Sequence, residues 1–268
     1  TAHNPPAPEF LDLCDKIGFL VMDDAFDEWE VPKIQGNVKY GYHLYFPERS
    51  QSDLASIIYR DRNHPSVVLW SAGNEIVDAD DDRDLVVLQE LMDTYHKLDP
   101  TRPVLVTNDR INHTEHTAKL PFLDMQDIVG YNYIARWGGR RELYYSIDKY
   151  EHPNWKMVGT ENGAVSGIRG SYIFGAVKPR AGRAAYYKSR MIAAGQLWRF
   201  TVVNDYVIGD FMWTGIDYLG ESRWPNKNSS SGVIDLCGFQ KEGYYFYQSQ
   251  WTNKPMVHLF PHWNWAGC

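Results

Sequence analysis

Two glutamates stand out by position. Glu75 closes the run Val67-Val68-Leu69-Trp70-Ser71-Ala72-Gly73-Asn74-Glu75, and Glu161 closes Lys156-Met157-Val158-Gly159-Thr160-Glu161. Each follows a short apolar run suited to a parallel strand covered on both faces. Two carboxyl groups that end different parallel strands can share one mouth. That is what cleaving a glycosidic bond demands: a protonated group to serve the departing oxygen, and an ionised one to attack the anomeric carbon or activate water. Apolar Trp70 and Ile76 beside Glu75 favour its neutral form. A phenol at Tyr131 and a cation at Arg169 suit an ionised Glu161. A strand-ending Asn-Glu pair equally suits a helix cap, so position alone leaves both readings open.

The elements that must hold these groups repeat a single grammar. Six apolar runs, starting at Phe19, Val67, Pro103, Asp127, Lys156 and Ile208, each pass into residues that hydrogen-bond or ionise. An amphipathic helical pattern precedes them over Glu9–Lys16, and others lie between them over Ser52–Arg60, Asp84–Leu98, Glu142–Tyr150 and Arg183–Phe200. Strand, polar end, helix, strand is the pattern of a parallel sheet with crossover helices. No Gly-rich phosphate turn follows an early strand, which weighs against a doubly wound nucleotide fold. A (β/α)8 TIM barrel gathers all strand ends round one mouth and fits better, with two strands fewer than the eight required.

Composition narrows the partners. The 268 residues are 44% hydrophobic with a net charge of −7, so neither nucleic acid nor an anionic membrane is an expected partner. Ten Trp and eighteen Tyr are many. A large core accounts for some, but several lie beside Asn, Asp and Gly, as in Arg136-Trp137-Gly138-Gly139 and His262-Trp263-Asn264-Trp265, a mixture suited to sugar rings. Cys14, Cys237 and Cys268 are widely spaced, which argues against a disulfide framework or a zinc site. Buried free thiols are expected. No apolar run has the length of a membrane span. The chain opens on Thr1-Ala2-His3-Asn4 without an initiator methionine, and localisation stays open.

The segment Arg60 to Glu75, Arg-Asp-Arg-Asn-His-Pro-Ser-Val-Val-Leu-Trp-Ser-Ala-Gly-Asn-Glu, resembles the acid/base signature of glycoside hydrolase family 2, the β-galactosidase and β-glucuronidase family. Thr1 to Pro6 resembles the loop after the second barrel strand, Leu13 to Asp23 the third strand, and Phe211 to Glu221 the eighth. The resemblance implies a TIM barrel over residues 1–255 lacking its first two strands, with the start of a β-sandwich domain over 256–268. The missing barrel segments and flanking β-sandwich domains of the same protein would be its partners.

It also implies roles. Glu75 is the general acid/base and Glu161 the nucleophile of a retaining exo-β-glycosidase, whose carboxyl groups sit roughly 5 to 5.5 Å apart. Asn74 holds the hydroxyl next to the anomeric carbon, and Tyr131 is the phenol that hydrogen-bonds the nucleophile. His3 and Trp213 line the sugar site, and Asp217 leans toward substrate contact over pairing with Arg223 or Lys227. His64 reads as structural. The expected substrate is a β-galactoside. A β-glucuronide comes second, because Pro225-Asn226-Lys227-Asn228 lacks the Asn-x-Lys spacing of uronide recognition, although Lys227 offers a cation.

No cofactor is expected. Asp23, Asp24, Asp27 and Glu28 offer oxygens to a hard cation, but family members that hold a metal there place a carboxylate and a histidine, where this chain has Glu28 and Glu30. A solvated acidic cluster is the expectation. An inactive carbohydrate-binding relative would need Glu75 or Glu161 replaced, and neither is. A metal-dependent barrel hydrolase would need ligands at several strand ends.

Overall fold

A computed structural model describes all residues except 35–38, 78, 80, 110, 112–117, 135–142, 164–194, 196, 223–226 and 260–268. In chain order the elements are α1 Pro8–Ile17, β1 Val21–Asp24, α2 Phe46–Asp61, β2 Val67–Asn74, α3 Asp82–Leu98, β3 Val104–Asn108, α4 Leu120–Asp124, β4 Val129–Asn132, α5 Tyr144–Glu151, β5 Met157–Asn162, β6 Val207–Met212 and α6 Glu242–Trp251. The six strands are hydrogen-bonded in sequence order, β1 to β6. The pairs β1–β2, β2–β3 and β3–β4 run parallel. An in-order parallel sheet with crossover helices is the wall of a (β/α)8 barrel, here with six strands. Among the described residues no helix is long and apolar enough to cross a membrane.

The chain forms two compact units, one of residues 1–160 and 206–208, the other of 161–205 and 209–268. In the first, Leu11, Leu54, Ile58, Leu88, Leu91, Trp70, Tyr95 and Phe122 are fully buried. Helix α3 shows how: Val87, Leu88, Leu91, Met92 and Tyr95 recur at helical spacing on one face. Asp81 caps its start by accepting from the Arg83 amide. In the second unit, Val233 and Tyr247 form a core with Met212, Ile234, Tyr244 and Phe246 against them.

All six expected strands are present, but their ends move. Phe19 and Leu20, expected inside the first strand, are exposed; β1 begins at Val21. It is the terminal strand of the sheet, and the two residues leading into it lie outside its pairing. Conversely, β2, β3, β4 and β5 run on through their polar ends, and all four finish on an asparagine: Asn74, Asn108, Asn132 and Asn162. An amide can both donate and accept, so it satisfies neighbouring strands without the desolvation cost of a charge. Asn108 shows this, donating to the carbonyls of Val106 and Gly130 at 2.8 and 3.0 Å.

The expected helix Arg183–Phe200 lies mostly outside the described residues, as do Arg169 and the loop tryptophans at 137, 263 and 265. Of the thiols, Cys14 is buried as expected. Cys237 is exposed, because it sits in the turn between Asp235 and Phe239 that Asp235 closes by accepting from both the Cys237 and Phe239 amides. Cys268 is outside the described residues.

Candidate functional site

In the first unit the carboxyl ends of β1 to β4 carry the polar groups. Glu75 sits one residue past β2 with φ +47°, held there by its amide, which donates to the Thr107 carbonyl of β3 at 2.8 Å. A left-handed turn at a non-glycine residue costs of the order of 1 kcal/mol, and it takes Glu75 out of the strand's alternation. The room that Ser71, Ala72 and Gly73 leave beside the backbone is filled from within. The Trp29 indole, 1% exposed, donates to the Ala72 carbonyl at 3.0 Å, and a Cβ at Gly73 would lie 2.7 Å from its nitrogen.

Glu75 is 22% exposed at its side chain, and each carboxylate oxygen faces a different group. Oε1 accepts from Asn132 Nδ2 at 3.1 Å, and Oε2 lies 3.9 Å from Lys33 Nζ. Asn132 is the hub of the site. Its amide also donates to Asn74 Oδ1 at 3.2 Å, and its carbonyl oxygen accepts from the Thr160 hydroxyl at 2.5 Å. Asn74 Oδ1 further accepts from the Thr107 hydroxyl, and Asn74 Nδ2 donates to Asp27 at 3.4 Å. His3 brings Nδ1 to 3.8 Å from Asp27 and 4.0 Å from Asp24. Burial pushes the Asp24 carboxyl well above the ordinary carboxylate range, despite the Ser71 hydroxyl donating to it at 2.7 Å.

The loop after β1 is built on carboxylates that already have their donors. Glu28 accepts from the Lys33 and His43 amides at 3.0 Å each and pairs with His43 Nδ1 at 2.9 Å. Burial alone would raise its carboxyl, but these donors outweigh burial and hold it low. Glu30 takes a two-toothed contact from Arg83, at 3.0 and 2.5 Å, which lowers its carboxyl. Asp27 accepts from Lys33 Nζ at 2.6 Å. Donors lie on both oxygens of Glu28 and of Glu30 and on Oδ1 of Asp27, so a hard cation held there would have to displace them. Among the described residues, the three-ligand grouping with metal spacing is Asp12, Asp15 and His64. It lies at the opposite, amino end of β2, where Asp15 accepts from His64 at 2.7 Å and from the Ser66 amide at 2.9 Å. The structural reading of His64 agrees with this geometry.

Tyr131 faces the other way. It is 1% exposed, its hydroxyl donates to Asp148 Oδ2 at 3.0 Å, and its ring packs edge-on against Tyr144 and Tyr145 of α5. The reason is the period of a strand: with Asn132 turned toward Asn74 and Glu75, its neighbour must point to the opposite face. Tyr133, just past β4, has φ +51° and so leaves that alternation.

In the second unit Glu161 lies within β5 and is 6% exposed, followed by Asn162 at 1% and by Gly163 at φ +70°. Only glycine fits there, since a Cβ would meet the Tyr247 hydroxyl at 2.3 Å. Asn162 donates to Asp210 at 3.0 Å, and its carbonyl accepts from the Trp213 amide at 2.9 Å. The Trp213 ring stands edge-on to Tyr218, with centroids 5.6 Å apart. Asp217 is spent inside this unit: Oδ1 accepts from Lys241 Nζ at 2.6 Å and from the Gly232 amide at 2.9 Å, both side chains being 6% exposed. Asp217, expected to lean toward substrate contact, is joined here in a buried ion pair to Lys241, which stands 24 residues on and carries no sequence pattern that marks it as the partner. Of the uronide segment, Lys227 is exposed and Asn226 lies outside the described residues.

Residues 1–223 match the family model of the glycosyl hydrolases family 2 TIM barrel domain. The chain is 33% identical to a β-galactosidase of Bacteroides ovatus, over 99% of this chain and 36% of that protein. It is also 33% identical to a putative β-glucuronidase of Formosa agariphila, over 98% of this chain and 26% of that protein. The structure superposes on a crystal structure of a β-glycosidase from Bacteroides vulgatus with a TM-score of 0.78 and 30% identity, covering 100% of this chain and 36% of that one. The chain thus spans about a third of the length of the relatives it matches.

Proposed function

Because the chain belongs to glycosyl hydrolase family 2, we propose that the protein is a retaining β-glycosidase that removes terminal β-linked sugars by double displacement. Glu161 attacks the anomeric carbon while Glu75 gives its proton to the departing oxygen, which leaves a glycosyl ester on Glu161. Glu75, now ionised, takes a proton from water as that water attacks the ester, and the sugar leaves with its original configuration. The observation that carries this reading is Glu75, 22% exposed at a strand end between an amide donor and an ammonium group. A carboxyl that must alternate between giving and taking a proton needs neighbours that support its charged form without trapping it. Asn74 lies beside it to hold the neighbouring sugar hydroxyl, with His3 and Trp213 as further sugar contacts. Tyr131 donates to Asp148 and Asp217 accepts from Lys241, so the reading places the weight of sugar contact on Asn74, His3 and Trp213.

A β-galactoside is the first substrate and a β-glucuronide the second. The supporting observation is charge. Beside Glu75 stands Asp27, and the Lys33 ammonium is already shared between Asp27 and Glu75. A sugar carboxylate brought to this region meets like charge, whereas neutral hydroxyls do not.

The test is a panel of aryl β-glycosides, galactoside and glucuronide among them, with Glu161→Gln and Glu75→Ala alongside. Turnover on the galactoside, its collapse in Glu161→Gln, and azide rescue of Glu75→Ala are the expected results. Normal turnover by Glu161→Gln removes the nucleophile assignment.

A further inference from the structure

Lys33 is neither a strand-end residue nor part of the motif that carries Glu75, yet its ammonium reaches that carboxylate. Its backbone is fixed first. The Lys33 amide donates to Glu28 Oε2 at 3.0 Å, while Glu28 Oε1 holds His43. Trp29, between Glu28 and Lys33 in sequence, is pinned to the Ala72 carbonyl of β2. The side chain is fixed next, by Asp27 at 2.6 Å. With both ends set, Nζ stands 3.9 Å from Glu75 Oε2, on the side of the carboxylate opposite the Asn132 amide. Lysine normally loses much rotamer freedom when it is held this way, so the position is built.

We propose that Lys33 is a positioning residue for acid catalysis: it favours the carboxylate that Glu75 becomes as its proton passes to the departing oxygen. The proposal rests on the reading of Glu75 as the acid/base. In the first step the proton leaves Glu75 for the glycosidic oxygen, the C–O bond breaks with its electron pair on that oxygen, and negative charge grows on Glu75. An ammonium already in place gains attraction as this charge develops and needs no reorganisation. In the second step Glu75 takes a proton from water and its charge declines, so the same ammonium gives no help there. Lys33 thus acts on one half of the reaction. Asp27 keeps the ammonium from forming a closed pair with Glu75 by holding it nearer itself, at 2.6 against 3.9 Å. The protein's own cation thus stands between the carboxylates of Asp27 and Glu75.

The experiment compares Lys33→Met and Lys33→Arg with the parent protein on two aryl β-glycosides of the sugar that the parent turns over. One carries a dinitrophenyl group, which departs without a proton; the other carries a phenyl group, which needs one. Lys33→Met is expected to lose at least about tenfold in kcat/KM on the phenyl glycoside, a fraction of the 10²–10⁴-fold worth of a general acid. On the dinitrophenyl glycoside its kcat/KM is expected to stay within about twofold, and Lys33→Arg is expected to recover most of the loss. Equal losses on both glycosides, with a lowered melting midpoint, make Lys33 structural and overturn the proposal, as does an unchanged phenyl rate. A parent protein inactive on every glycoside fails the glycosidase reading instead, and leaves a pattern distinct from either.

Discussion

The side-chain amide of Asn132, at the end of β4, donates to Glu75 Oε1 at 3.1 Å and to Asn74 Oδ1 at 3.2 Å, two residues that are adjacent at the end of β2. One amide therefore sets the spacing between the group that handles the proton and the group assigned to the neighbouring sugar hydroxyl. Replacing Asn132 by Ala removes both donations and the acceptor of the Thr160 hydroxyl. The expected outcome is a fall in kcat/KM of about ten- to a hundredfold, roughly 1.4 to 2.7 kcal/mol in the barrier, with a smaller change in melting midpoint. Asn132→Asp, which places an acceptor against Glu75, is expected to be worse. Steady-state kinetics beside thermal unfolding separates the two effects.

Tyr131→Phe tests where the phenol points. The substitution removes one donor from Asp148, which is 1% exposed, and leaves the ring packing on Tyr144 and Tyr145 intact. A loss of about 1 to 3 kcal/mol in unfolding free energy is expected, with kcat and KM near the parent values. A large fall in kcat with unchanged stability would restore Tyr131 to the reaction.

The ion pair of Asp217 and Lys241 is expected to behave as a buried one. Lys241→Met alone leaves a carboxylate, 6% exposed, without that cation and is expected to cost about 3 to 5 kcal/mol. Adding Asp217→Asn removes the stranded charge, so the double variant is expected to be more stable than Lys241→Met. Urea unfolding of both single variants and the double closes the cycle. Substrate KM unchanged in Asp217→Asn confirms that its carboxylate faces inward.

Asp23 gives the pH dependence. It is 1% exposed, and burial, followed by the charge of neighbouring Asp61, pushes its carboxyl up to about 8. The folded protein then keeps a proton that the unfolded chain releases above about pH 4. Where the folded state binds more protons, stability falls as pH rises. The loss attributable to Asp23 runs from about pH 4 to about 8, with a slope of at most about 1.4 kcal/mol per pH unit. Asp23→Asn holds the neutral form permanently and is expected to flatten that slope, gaining on the parent above pH 7. Parallel slopes in urea titrations from pH 5 to 9 would remove Asp23 as the cause.

The strands and their order were legible because β-branched and aromatic runs such as Val67-Val68-Leu69-Trp70 have few other uses in a chain of this kind. In β2 to β5 the strand continues past the apolar run into its polar residues. Backbone pairing does not stop where side chains turn polar, so long as those side chains find partners, as the Ser71 hydroxyl does in the Asp24 carboxylate and the Asn108 amide does in the Gly130 carbonyl. Glu75 and Asn74 were legible as strand-end groups. Asn132 was visible only as the residue after Tyr131, because its meaning depends on which strands are neighbours and on which face of β4 it occupies. The sequence cue was there in the repeated asparagine at the ends of β2 to β5. Lys33 offered no such cue. Its reach to Glu75 follows from the fold of a loop held by Glu28 and Trp29, and neither contact has a fixed sequence spacing.

The anchoring of Trp29 on the Ala72 carbonyl has a mechanical consequence. The loop that carries Lys33 and the strand that carries Glu75 share one point of reference, three residues before the glutamate and four before the lysine. The 3.9 Å between the two charged groups is therefore set by a short path, four residues of loop and three of strand from that shared point.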